Sequence, residues 1–211
     1  MALTERDALE QLHRDVLSVD AVLNSLKEET ALFQRMMYKN HSQHRRAEFF
    51  KHLQEVKRGL AECDLKEISG TFKVAKQAIE QLRLGPGDHH ISWKVLSGDL
   101  KVQLDSLLRR LISIATSFAR IITATQKAFR GLSAQFSMTY FMPFALTMNS
   151  ILGRITVLLR TLLVRAIQVH GGVALIYLNE VTKSNPLRAR VTALQLRGYR
   201  MPPAVIEIAN A

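Results

Sequence analysis

His41 and His44, three residues apart and close to Lys39, are the side chains of this sequence best suited to proton chemistry near neutral pH, where imidazole titrates. With Lys39 they could serve as general acid and base in RNA cleavage. His52 lies two turns beyond His44, and Asp88-His89-His90 follows in a Gly/Pro-rich stretch, so the spacing also looks superficially like that of metal ligands. A zinc site needs at least three protein ligands held together, and nothing in the sequence joins these two groups. The sequence contains no P-loop, no Gly-rich dinucleotide turn, no Gly-x-Ser-x-Gly elbow and no paired acidic motif on facing helices. The expectation is a protein that is not an enzyme and carries no metal or cofactor.

The same histidines belong to a dense polar segment, Arg35 to Arg46, in which nothing apolar interrupts Lys39 to Arg46. Burying so many donors and charges would cost several kcal/mol for each unpaired group, so this segment must face solvent or a polar partner. It supplies the parts for nucleic-acid recognition. Arg45 and Arg46 can hold phosphates bidentately, and a helix start at the motif would add backbone N–H donors and a favourable dipole. Asn40, Gln43 and His44 can read base edges or 2′-hydroxyls, while Tyr38 or His41 can stack on an unpaired base. Lys39 adds a cation within the motif, and Arg35, Lys51, Lys57 and Arg58 could extend the contact along the flanking helices. A merely solvated basic corner is the competing reading of these residues.

The elements that position this segment follow from apolar spacing. Leu9, Leu12, Val16, Val19, Leu23 and Leu26 recur every three or four residues, with Phe33 and Met37 in phase, which predicts a helix from about Thr4 to Tyr38. Phe49, Leu53, Val56, Leu60 and Cys63 form a second such seam, displaced by two residues, or about 200° of rotation, from the first. A change of direction between Met37 and Phe49 explains the displacement, with Asn40 or Ser42 as N-cap, and puts the cationic motif at a helix–helix corner. Leu65 to Leu82 gives a third stripe, ended by Gly85-Pro86-Gly87-Asp88. From Ser92 or Trp93 to Phe129 the pattern predicts one long helix, and an apolar run from Phe136 to Val169 predicts another, stopped by Gly171-Gly172, with a short helix over Val173 to Val181. Pro143 either kinks the later helix or starts it. The fold class is all-α: an elongated bundle of about five long helices over residues 1–184, followed by an irregular basic tail over 185–211 that contains Pro202-Pro203, Arg188, Arg190, Arg197 and Arg200.

A chain of 211 residues that is 47% hydrophobic can fill a single core. Its formal charge of +11 favours an anionic partner such as nucleic acid or a membrane surface. The excess is regional: three basic against seven acidic residues over 1–34, seven against two over 35–60, five against six over 61–100, and fourteen against three over 101–211. The lone Cys63 excludes an internal disulfide, points weakly to a reducing compartment and reads as a small core residue. No signal peptide is visible, so secretion is not expected. Between Arg130 and Arg154 stand 23 uncharged residues, long enough to cross a bilayer. Their Ser, Thr, Asn, Gln and Pro content, with Arg154, Arg160 and Arg165 just beyond, fits a buried core helix better, and no membrane partner is expected.

At the cationic motif the sequence resembles the RNase MRP-specific protein subunit family and the related N-terminal domain of the nucleolus and neural progenitor protein. The likeness rests on Tyr38-Lys39-Asn40-x-Ser42-Gln43-His44-Arg45-Arg46, then Phe49-Phe50-x-x-Leu53 and Val56-Lys57-Arg58. It is sharp over about residues 32–60 and one of pattern from 93 to 181. The chain departs from the Lys-rich tails of many such proteins, ending instead in Gly198-Tyr199-Arg200-Met201-Pro202-Pro203 and an apolar run. The resemblance implies an all-α, non-catalytic subunit of the ribonucleoprotein endonuclease RNase MRP in the nucleolus of the nucleus, supporting pre-ribosomal RNA processing. Its implied partners are the RNase MRP RNA and other protein subunits of the particle. Arg109, Arg110, Arg120, Lys127, Arg130, Arg154, Arg160 and Arg165 would offer further phosphate contacts, although arginines on helices also commonly snorkel from a buried stem to water. The alternatives are a helical protein-interaction scaffold without direct RNA contact and a membrane-associated helical protein.

Overall fold

A computed structural model describes residues 18–81, 98–137, 141–184 and 200–211. Six helices lie among them: α1 (Val19–His44), α2 (Glu48–Glu62), α3 (Leu65–Gln81), α4 (Gly98–Ser137), α5 (Met142–Ser184) and α6 (Pro203–Asn210). No strand occurs among the described residues. The all-α bundle expected from the 3.6-residue apolar period is therefore the observed architecture.

The spine is the hairpin of α4 and α5, of 40 and 43 residues, each about 60 Å long at the helical rise of about 1.5 Å per residue. Leu108, Leu111, Phe118, Ile122, Leu132, Leu152, Ile155, Leu159 and Leu163 are all buried, and each full burial stabilises the fold by about 1.5–3 kcal/mol. Inside this apolar seam the hydroxyls of Thr125 and Thr156 meet at 3.0 Å, and Thr125 Oγ1 donates to the carbonyl of Ile122 at 2.7 Å. Thr156 Oγ1 also donates to the carbonyl of Leu152 at 2.7 Å, so each hydroxyl is satisfied within its own helix and the contact between them adds a polar link across the seam.

The 23-residue uncharged run is divided between two elements, since α4 ends at Ser137 and α5 begins at Met142. Pro143 sits in the first turn of α5, where its missing N–H costs nothing. Among the described residues no helix is long and apolar enough to cross a membrane.

α1 packs along α5 and α2 along α4, both antiparallel to their partners, while α3 contacts α4, α1 and α5. Phe33, Met37, Phe50, Leu53 and Val56 are buried, as their seams require. The α2–α4 contact is unusually close because each helix contributes a glycine. A Cβ on Gly59 of α2 would stand 2.8 Å from Ile121 Cγ1, and one on Gly131 of α4 would stand 3.0 Å from Phe49 Cβ. α3 opens with Asp64, whose Oδ1 accepts from the N–H groups of Lys66 (2.8 Å) and Glu67 (3.3 Å), an N-cap that satisfies two otherwise orphaned donors. Beside it Cys63 is half-buried, and burial pushes its thiol up to about 11, which makes it a poor nucleophile at neutral pH.

Four sequence expectations change. α1 does not stop at Tyr38 but runs six residues further, and the N-cap of α2 is Ala47 rather than Asn40 or Ser42. The extra turns persist because Met37 and His44 lie on the buried stripe and keep the helix packed against α5. α5 passes through Gly171-Gly172 without a break, so the expected stop and the separate helix over Val173 to Val181 are one continuous element. Two interior glycines cost the helix about 1 kcal/mol each, less than the flanking Val169 and Val173 contribute by burial. The region expected as an irregular tail contains α6, whose Val205 is buried with the preceding Met201, and α6 lies against both α4 and α5. The Gly85–Asp88 loop, His89, His90, Trp93, the first helical seam before Ser18 and the arginines at 188, 190 and 197 lie outside the described residues.

Candidate nucleic-acid interface

On α1 the buried positions Leu26, Phe33, Met37 and His44 define one stripe, and the opposite stripe carries Arg35, Tyr38, Lys39 and Ser42, all exposed. Tyr38 is 86% exposed, an unusual position for so large a ring and one that offers both faces for stacking. Gln43 borders this stripe and is exposed, and Arg45 and Arg46 follow in the turn, also exposed. The turn is held by Arg45 N–H donating to the carbonyl of His41 and Ala47 N–H to that of His44, both at 2.9 Å. The structure thus gathers Arg35, Tyr38, Lys39, Gln43, Arg45 and Arg46 into one solvent-facing strip and corner.

Two motif residues face elsewhere. Asn40 is half-buried, and its Nδ2 donates to the carbonyl of Met36 at 2.9 Å, so one of its amide hydrogens is committed to its own helix. His44 is only 4% exposed, and its expected place on the recognition surface is corrected: it is a packing residue. Its ring stacks on Phe144 at 4.8 Å and 22°, meets Phe141 edge-on at 4.8 Å, and lies 5.4 Å from Phe49. Desolvation in this aromatic nest holds its pKa below the ordinary value of 6.5, so the ring is neutral at physiological pH. Phe141 pays for its place there with a left-handed backbone, φ 57°. His41, by contrast, is exposed, with its ring 5.9 Å from that of Phe50. Neighbours in sequence, the two imidazoles do not form an acid–base pair at one accessible site. No cluster of three or more His, Cys, Asp or Glu side chains suited to a metal ion occurs among the described residues.

The helix dipole at the motif has the opposite sense from the helix start expected there. Tyr38 to His44 occupy the last turns of α1, where the carbonyl end of the dipole favours the basic side chains rather than an anion. The nearest helix start is that of α2, and its first turn carries Glu48. The corner therefore offers an anion its side chains and no helix N-terminus.

Lys57 and Arg58 lie about nine residues into α2, some 14 Å from its start at the helical rise. Arg58 lines a groove of about 500 Å³ between α2 and α4, together with Glu55, Glu62, Arg120 and Lys127. Arg120 is bound there to Glu62 by an ion-paired hydrogen bond. Arg154 is likewise engaged, donating at 2.8 Å to Glu29, whose side chain is 4% exposed. Arg109 pairs with Asp105 at 3.3 Å one turn away, and Arg165 donates to Gln168 at 3.2 Å. The arginines that punctuate the long helices are thus partly spoken for by the fold. Glu29 and Glu62 were not singled out by sequence pattern. The only signal for Glu29 was an acid on the apolar stripe of its helix.

This arrangement defines a class: a basic helical-bundle domain with a solvent-facing cationic corner and no assembled catalytic constellation among its described residues. The family model of the nucleolus and neural progenitor protein, N-terminal, matches residues 3–172, and the chain belongs to that family. Its name supports a nuclear, nucleolar setting in general terms. Neither a curated protein nor a solved structure matches the chain.

Proposed function

We propose that this protein is a non-catalytic, RNA-binding subunit of the ribonucleoprotein endonuclease RNase MRP, acting in pre-ribosomal RNA processing in the nucleolus. The observation that carries the reading is the uncompensated strip of Arg35, Tyr38, Lys39, Gln43, Arg45 and Arg46. Its cations have no ion pair among the described residues, whereas Arg120 and Arg154 do. Unpaired cations beside an exposed aromatic ring match the needs of phosphate neutralisation and base stacking on unpaired RNA. The family membership and the nucleolar name agree with that reading. The bound RNA would be the RNase MRP RNA, with other protein subunits of the particle as neighbours, and catalysis would reside in the RNA.

The test is recovery of the chain from cell extract followed by sequencing of the bound RNA. Enrichment of the RNase MRP RNA, abolished when Arg35, Lys39, Arg45 and Arg46 are changed together to Glu in a chain that still folds, is the expected result. Recovery free of RNA, with a sedimentation position unchanged by ribonuclease, would replace the reading with a protein-interaction scaffold. The purified chain is expected to cleave no RNA alone, with or without divalent metal. Cleavage abolished by His41→Ala would overturn the non-enzyme assignment.

A further inference from the structure

α1 and α2 lie on one broad face of the α4–α5 hairpin, and α3 and α6 also contact both of its helices. On α4, Gly131 faces Phe49 of α2, and Phe129 stands two residues, about 200°, away. On α5, Phe144 faces His44 of α1, and Leu146 stands the same angle away. The residues on this second face are large, apolar and open to solvent: Phe129 (47% exposed), Phe136, Leu146 (60%) and Val157 (64%). Phe129 and Phe136 are two turns apart on one helix, and Leu146 and Val157 are three turns apart on the other.

Beside Phe129 lies a groove of about 360 Å³ between the two helices, lined also by Thr125, Leu152, Gly153 and Thr156 and by the cations Arg130 and Arg160. A Cβ on Gly153 would meet no atom within 4 Å, so the glycine leaves open a space that packing does not require. Arg160 Nε is a buried atom with no hydrogen-bond partner among the described residues. An aliphatic and aromatic strip next to two cations complements a partner with an apolar stripe and carboxylates beside it. The chain's own α6, with Val205 buried, already lies against both helices of this hairpin, which shows that the hairpin accepts a short apolar helix.

We infer that the groove between α4 and α5 at Phe129, Gly153 and Arg160 is a docking site for an amphipathic helix of another protein, one that carries an Asp or Glu at the edge of its apolar face. The apolar side chains of that helix would fill the space over Gly153, and its carboxylate would pair with the guanidinium of Arg160, a group that lines the groove and has no ion pair among the described residues. This inference does not rest on the RNA reading, which concerns the α1–α2 corner.

The test places a photo-crosslinking benzoylphenylalanine at Val157 of the full chain in cells and maps the attached peptide by mass spectrometry. The expected product is a protein segment with apolar residues at i, i+3 or i+4, and i+7 and an acid beside them. Arg160→Glu should lower the crosslink by about tenfold or more, as reversal of one partner in a close charge pair does, and changing the mapped acid to Arg should restore it. Gly153→Leu should block the site in a chain whose helix content and melting are unchanged. A crosslink to RNA, a crosslink to a second copy of this chain, or no crosslink would overturn the inference. So would a protein crosslink indifferent to both Gly153→Leu and Arg160→Glu.

Discussion

The imidazole of His44 lies flat on the ring of Phe144, with centroids 4.8 Å apart and planes 22° from parallel. That contact joins the end of α1 to the start of α5, and Phe49 and Phe50 close over it from α2. A residue in the middle of a polar, cationic motif is thus the hinge pin of a three-helix junction. Its cationic neighbours Lys39, Arg45 and Arg46 are exposed.

Stability should therefore depend on pH through His44. Burial depresses its folded pKa, so the unfolded chain takes up the proton first as pH falls. The stabilisation from neutral His44 is fully present above its ordinary pKa of about 6.5 and disappears progressively as pH drops from there toward the lowered folded value. His44→Phe keeps the aromatic stack, and because His44 Nε2 has no hydrogen-bond partner, carbon at that position forfeits none. Thermal melts from pH 7.5 to 5 are expected to show the parent losing more stability than the variant. Parallel curves would assign the pH dependence to other groups.

The paired glycines of α2 and α4 predict that small additions are costly. Gly131→Ala would press Cβ to 3.0 Å from Phe49 Cβ and 3.3 Å from its Cα, a backbone atom that cannot rotate away. Overpacking of this kind costs about 1–3 kcal/mol, against a helix-propensity gain of about 1. Gly59→Ala would clash with Ile121, and Ile121→Ala should reduce the penalty, so the double variant should be less destabilised than the sum of the two. Urea unfolding of the four proteins measures this coupling, and strict additivity would mean that the helices separate freely.

Arg154→Ala should destabilise more than an exposed arginine ordinarily would, because it strands the Glu29 carboxylate in the α1–α5 interface. A loss of about 1–3 kcal/mol follows from an unsatisfied buried acceptor. Glu29→Gln in the same chain should recover part of it. If Arg154→Ala melts like the parent and binds RNA less tightly, Arg154 is a phosphate contact and the ion pair is incidental.

At the cationic corner, Arg45→Ala with Arg46→Ala should weaken RNA binding and leave circular dichroism unchanged, since both side chains are exposed and outside every apolar seam. The slope of log affinity against log salt should flatten by about 0.7–0.9 for each phosphate that the variant no longer neutralises. A folded double variant with the parent slope would remove the corner from the interface.

The amino-acid sequence by itself determined the helical class, the buried seams of α1, α2 and α4, and the existence of a turn near the cationic motif. These depend on periodicity, which needs no knowledge of what packs against what: an apolar residue every three or four positions has to be buried somewhere. Where helices end was less legible. Gly171-Gly172 and the Pro202-Pro203 tail read as breaks because local propensity is weak beside burial, and Val169, Val173 and Val205 found partners only in the assembled bundle.

Tertiary structure alone decided which polar residues remain available. His44 and Tyr38 stand in the same dozen residues and carry similar recognition chemistry, yet one is 4% and the other 86% exposed. The difference is set by Phe141 and Phe144, about a hundred residues away in sequence. Likewise the charges of Arg120 and Arg154 are answered by Glu62 and Glu29 from other helices, pairings that no local spacing encodes. Periodicity reports which face of a helix is buried; only the packed chain determines what that face meets and which charges are left for a partner.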